Sequence, residues 1–104
     1  MISPATFREM ALSLPGATEH PHFEKAAFKT KKIFATLDAT GTLGCLMLSL
    51  IDQSVFCKVD ASVIYPVPNQ WGQQGATYFE LKKLRKSIVK DALQQAYENS
   101  LGKK

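Results

Sequence analysis

The residues in this chain best suited to chemistry are cations. Lys82-Lys83-Leu84-Arg85-Lys86 is followed by Lys90, and on a helix Lys83, Lys86 and Lys90 share one face at i, i+3 and i+7. A helix start ordinarily carries Asp or Glu, because unpaired amides and the macrodipole make that end positive. Lysine and arginine there cost roughly a few tenths of a kcal/mol per charge, which a docked phosphate would offset. A second basic group, Lys29, Lys31 and Lys32, surrounds a hairpin turn, where lysine also discourages strand pairing at an edge. If both groups lie on one surface, they can follow successive phosphates with the hairpin acting as a wing. The expected activity is therefore DNA binding, weak and directed mainly at the phosphate backbone.

The charge distribution points the same way. The net charge is +4. From Lys82 onward there are seven basic residues against two acidic ones, whereas residues 1–81 carry six basic and seven acidic. A localised positive patch attracts phosphates or acidic partners, and it serves equally as a solvated face. Base readout has fewer candidates. Asn69, Gln70, Gln73 and Gln74 are side-chain amides in one loop with Trp71, but a tryptophan packed into the core is the expectation there. Tyr65, Trp71 and Tyr78 could instead line a groove for a small molecule or a protein, the alternative function.

Other reactive residues do not assemble into a motif. His20 and His22 would share a face of an extended segment, with Glu24 or a cysteine as a third metal ligand, yet two histidines lack the set that a metal centre needs. An exposed polar edge is expected there, with one histidine bonded to backbone, and neither metal nor cofactor. Cys45 and Cys57 are expected to be reduced and buried as small hydrophobes. No nucleophile, acid pair or phosphate loop has its local signature, so an enzyme is not expected. With 104 residues, an ordinary apolar fraction and no apolar run long enough to span a bilayer, the chain reads as one cytoplasmic domain over residues 1–104, monomeric.

The elements that must position these residues are legible. Ala26-Ala27-Phe28-Lys29, residues 32–38 and residues 43–50 are three strand-like runs separated by short turns, an antiparallel meander. In the middle run Ile33, Ala35 and Leu37 should face the core, with Phe34 pointing away. The third run, apolar almost throughout, should be central and covered on both faces. Ser3 and Pro4 start a helix whose stripe is Phe7, Met10, Ala11 and Leu14, ended by Pro15-Gly16. Residues 17–23 read as a short edge strand or an extended lead-in, since Pro21 removes a ladder donor. Asp52 or Ser54 should cap a helix over residues 55–60 with Val55, Phe56 and Val59 on its apolar side. Residues 64–68 must be extended, residues 69–75 form a loop, 76–81 a strand, and 85–99 a closing helix with Ile88, Val89, Ala92, Leu93, Ala96 and Tyr97 inward. The fold class is α+β: an antiparallel sheet, a meander plus a later strand, backed by the N- and C-terminal helices.

Taken together these segments resemble the MmcQ/YjbR family of small bacterial proteins. The resemblance rests on Leu14-Pro15-Gly16, His22-Phe23 leading to Ala27-Phe28-Lys29, Lys32-Ile33-Phe34-Ala35 and residues 58–60. It continues through Tyr65-Pro66-Val67-Pro68-Asn69, Trp71-Gly72, Gly75, residues 78–81 and Ala96-Tyr97, nearly the whole chain. It implies a compact α+β fold likened to a double-wing DNA-binding module, and hence DNA binding. One position departs: relatives commonly carry a tryptophan directly after the loop glycine, where this chain has Ala76, and Trp71 is not in register with it.

Overall fold

Turn residues at short intervals force the chain back on itself, and the alternation between them produces a sheet. A computed structural model describes residues 2–22 and 25–102, the side chain of His22 excepted. The elements are α1 (Pro4–Leu12), β1 (Thr18–His22), β2 (Lys25–Lys29), β3 (Ile33–Leu37), β4 (Leu43–Met47), α2 (Leu50–Cys57), β5 (Ile64–Pro66), α3 (Gln70–Gln73), β6 (Ala76–Glu80), a 3-10 turn (Leu81–Lys83) and α4 (Lys86–Ser100). Six strands form one antiparallel sheet in the order β1-β2-β3-β4-β6-β5, with β1 at the edge where Pro21 requires it. The α+β architecture expected from the sequence is the one observed.

Both end helices form for the reasons expected. Ser3 Oγ accepts the amide of Thr6 at 3.1 Å, Pro4 occupies the first helical position, and Phe7 and Ala11 face the sheet. In α4 the residues Val89, Ala92, Leu93, Ala96 and Tyr97 form the buried stripe. The Tyr97 hydroxyl donates to the Pro15 carbonyl, joining the last helix to the turn that ends the first. Arg8 Nε meets Glu19 Oε1 at 2.8 Å and ties α1 to the edge strand.

Four local expectations are corrected. In β3 the pairing steps from Phe28 opposite Ala35 to Lys29 opposite Ile33, so Phe34 is an extra residue in a bulge. The bulge re-aims its side chain: Phe34 is fully buried, its ring edge-on to Tyr97 at 5.9 Å, instead of pointing away from the core. Strand β4 is interior to the sheet as expected but is not covered on both faces. Gly44 and Leu46 are buried while Leu43, Cys45 and Met47 are half-buried. The second helix begins early because Ser49, not Asp52 or Ser54, is its cap, accepting the Asp52 amide at 3.1 Å. That phase turns Phe56 inward against Phe79 at 6.1 Å, yet leaves Val55 and Val59 56% and 53% exposed. Gln53 takes the inward place and its amide nitrogen donates to the carbonyls of Gly72 and Ala76 at 2.9 and 3.1 Å.

The fourth correction concerns the amide-rich loop. Asn69 Oδ1 accepts the Trp71 amide at 2.8 Å and caps the single helical turn α3. Gly72 of this turn lies against the Val67 carbonyl, where a Cβ would collide with backbone. Trp71 is 54% exposed, not packed in the core. Among the described residues, no helix is long and apolar enough to cross a membrane.

Candidate nucleic-acid interface

Strand β6 delivers the basic run to the surface, and two leucines hold it there. Leu81 and Leu84 are buried, so the residues between and after them, Lys82, Lys83, Arg85 and Lys86, are driven outward. Arg85 is the N-cap of α4 but its side chain makes no capping bond, and no acidic residue lies in the first turn. The helix therefore opens toward solvent with its positive end uncapped by a side chain and surrounded by exposed cations. Lys83 belongs to the 3-10 turn and not to α4, so only Lys86 and Lys90, both exposed, share a helical face.

Acidic residues beside this cluster are already engaged. Lys83 Nζ lies 3.2 Å from Glu80 Oε1, and Glu80 Oε2 accepts the Tyr65 hydroxyl at 2.6 Å. The Tyr65 bond first, then Lys83, holds the Glu80 carboxyl below its usual range, and the same bond pushes the Tyr65 phenol up. Asp38 Oδ1 accepts the amides of Thr42 and Leu43, each at 3.0 Å, and Oδ2 accepts the Thr40 hydroxyl at 2.7 Å. Burial pushes Asp38 upward, but these bonds outweigh it and leave its carboxyl below the ordinary value. A cavity of about 250 Å³ lies between these groups, lined by Asp38, Leu43, Tyr65, Glu80, Lys82 and Lys83.

The hairpin lysines are elsewhere. Thr30, in the β2–β3 turn, bonds Ser100 at the C-terminal end of α4 (Oγ1 to Oγ, 2.6 Å), and Lys32 lines a cavity with Asn99 and Ser100. The fourteen-residue rise from Lys86 to Ser100 is about 21 Å, so Lys31 and Lys32 stand at the opposite end of α4 from Lys82–Lys86. The two basic groups do not form one cluster.

Across the sheet, the register aligns a row that the sequence did not reveal. His20, Ala27, Thr36, Cys45, Tyr78 and Tyr65 are successive cross-strand partners over all six strands. The neighbouring row, Leu37, Gly44, Phe79 and Ile64, faces the helices: Gly44 sits under the Phe7 ring and Phe79 meets Phe56. Pleating puts the first row on the other face, where Ala27 is buried, Thr36, Cys45, Tyr65 and Tyr78 are half-buried and His20 is exposed. The Tyr65 and Tyr78 rings contact edge to face, centroids 6.0 Å apart, whereas Trp71 belongs to α3. Alternation alone places Tyr78 and Glu80 on one face of β6. Nothing local in the sequence announces that Tyr65 is their neighbour.

Remaining candidates behave as surface or scaffold. His20 Nε2 lies 2.8 Å from the Thr18 hydroxyl rather than on backbone. Glu24 and the His22 side chain lie outside the described residues, and among those described no three His, Cys, Asp or Glu are grouped to hold a metal ion. Cys45 and Cys57 are unpaired thiols, half-buried instead of fully buried, and burial pushes both thiols up. A cavity of about 570 Å³ lies under α1 and beside β1, shares Asp38 with the smaller one, and mixes the paired Arg8 and Glu19 with Lys25.

The chain matches no family model, and no curated protein matches it. One solved structure similar to it is the crystal structure of Deinococcus radiodurans protein DR2400, which carries the family-model domain DUF419, the MmcQ/YjbR-like family. The TM-score is 0.78 at 16% identity, over 92% of this chain and 76% of that one. At that identity the likeness establishes the fold and leaves the activity open.

Proposed function

We propose that this chain is a non-catalytic DNA-binding module that holds the phosphate backbone at the start of α4. The observation that carries this reading is the helix N-terminus without a side-chain cap, set among exposed Lys82, Lys83, Arg85, Lys86 and Lys90. Phosphate oxygens suit that position because the amides and macrodipole favour an anion and lysines supply the counter-charge. Lys29, Lys31 and Lys32, about a helix length away, contribute at most to a separate contact. The likeness to a DUF419 protein agrees with the double-wing resemblance of the sequence.

Titration into fluorescent duplex DNA at several salt concentrations tests the reading. Log affinity should fall linearly with log salt, with a slope of roughly 3 to 5 for four or five phosphates neutralised. Lys83→Glu with Lys86→Glu should abolish binding while the thermal midpoint is retained. Binding that ignores salt, or survives both reversals, rejects it.

A second reading, a protein-binding module, has one observation in its favour. On and just after α2, Leu50, Ile51, Val55 and Val59 are 57%, 78%, 56% and 53% exposed, four apolar residues within ten positions of the chain. Ile51→Lys with Val55→Lys should then weaken partner capture and leave DNA binding intact.

A further inference from the structure

We infer that the open face of the sheet takes unpaired bases, so that the preferred ligand is single-stranded DNA; this rests on the phosphate-binding reading above and names its substrate class. Three observations combine. Tyr65 and Tyr78 lie side by side on the face away from the helices, half-buried and in edge-to-face contact. The cavity beside Tyr65 is bounded by Lys82 and Lys83, the first two cations of the basic run. Lys25 lies two residues before Ala27 on β2, on the same side of the pleat, so positive charge also reaches this face from the far side of the row.

Aromatic side chains on a sheet, with cations at the margin, suit splayed bases and their backbone. A base stacks on a tyrosine ring through its π-face, whatever its identity. The phosphate that follows reaches Lys82, Arg85 or Lys86 and the amides of α4. Two carboxylates, Asp38 and Glu80, line the same cavity and argue against a phosphate inside it. Asp38 accepts backbone amides and Glu80 pairs with Tyr65 and Lys83, and both stay ionised, so the phosphates of the strand pass outside the cavity, along Lys82, Arg85 and Lys86. Inside the cavity their remaining lone pairs would accept N–H donors of a base, the N3–H of thymine among them. A duplex cannot use this face: its bases are stacked on each other and present only edges.

The test compares fluorescence anisotropy of a labelled oligothymidylate of about 12 nucleotides with a duplex of equal length, at one salt concentration. The single strand should bind at least tenfold more tightly. Tyr65→Leu with Tyr78→Leu should lower its affinity roughly tenfold or more, and Tyr65→Phe with Tyr78→Phe should keep it. If the leucine pair fails to fold, the wild-type ratio and oligothymidylate-induced shifts of the Tyr65 and Tyr78 ring protons in NMR decide. Equal or tighter duplex binding, an undiminished folded leucine variant, or unmoved tyrosine signals overturn the inference. If duplex binding in those cases still weakens with salt and vanishes in Lys83→Glu/Lys86→Glu, the backbone reading survives alone. Absence of binding to either polymer overturns both.

Discussion

The two faces of the sheet are built from the same strands and differ by one residue in phase. On the helix side Phe28, Ala35, Leu46, Ile64 and Phe79 are sealed from solvent under α1, α2 and α4. On the other side Thr36, Cys45, Tyr65 and Tyr78 remain half-buried, their side chains only partly covered. The first face obtains its stability from apolar area removed from water and from dense packing. Its partner face contributes less to stability and keeps groups that can meet a ligand. In such a sheet a recognition surface can change without touching the core, because alternate residues of each strand answer to different constraints.

The widest difference is expected at adjacent residues of β6. Phe79→Ala removes a fully buried ring and should cost about 3–5 kcal/mol, close to the whole stability of a small domain. Tyr78→Thr, one residue away, should stay within about 1 kcal/mol, since the open face has no cavity to leave behind. Urea unfolding of both variants measures the contrast, and similar losses would show that the two faces are energetically alike.

A smaller loss is expected where a buried polar group supports the covered side. Gln53→Ala strips the bonds to the carbonyls of Gly72 and Ala76 and should destabilise by roughly 1–3 kcal/mol. A loss below about 0.5 kcal/mol would mean that water replaces both bonds.

At the β3–β4 turn, Asp38→Ala should cost about 1 kcal/mol at neutral pH, where its carboxylate accepts two amides and a hydroxyl. Because the folded carboxyl lies below its ordinary value of 3.8, its contribution is present above that pH and is lost as pH falls through the folded value. The variant and the parent should therefore converge in stability in strong acid; a gap that persists there would assign the effect to packing.

The least perturbing probe is chemical. Burial raises both thiols, so maleimide should label Cys45 and Cys57 slowly at pH 7 and faster as pH rises toward and past 9. Bound single-stranded DNA should slow Cys45, which lies in the tyrosine row, more than Cys57 at the end of α2. Equal protection would move the ligand off the sheet face.

Helices α1 and α4, all the meander strands, β5, β6 and the edge position of β1 were legible because each rests on local rules: a serine cap, a proline, a period of 3.6 or 2. Phe34 was not, since a bulge cancels alternation at one residue and depends on how β2 pairs with β3. The phase of α2 was missed because Ser49, read as part of the third strand-like run, is the cap, and Asp52 and Ser54 have comparable capping ability. Trp71 was misplaced because burial of a large ring depends on which element happens to cover it, and α3 presents it outward.

The sequence by itself determined the elements, one antiparallel sheet, and a concentration of positive charge at the start of the last helix. These follow from composition and near-neighbour spacing, interactions whose range is a few residues. Only the tertiary structure decided that Lys31 and Lys32 are a helix length from Lys86, that Tyr65 from β5 meets Tyr78 from β6, and that Tyr65 shares a cavity with Lys82 and Lys83 on a face left open by the helices. Those relations join residues far apart in the chain. They are fixed by strand order and by which apolar face the helices bury, quantities that no local window of residues contains.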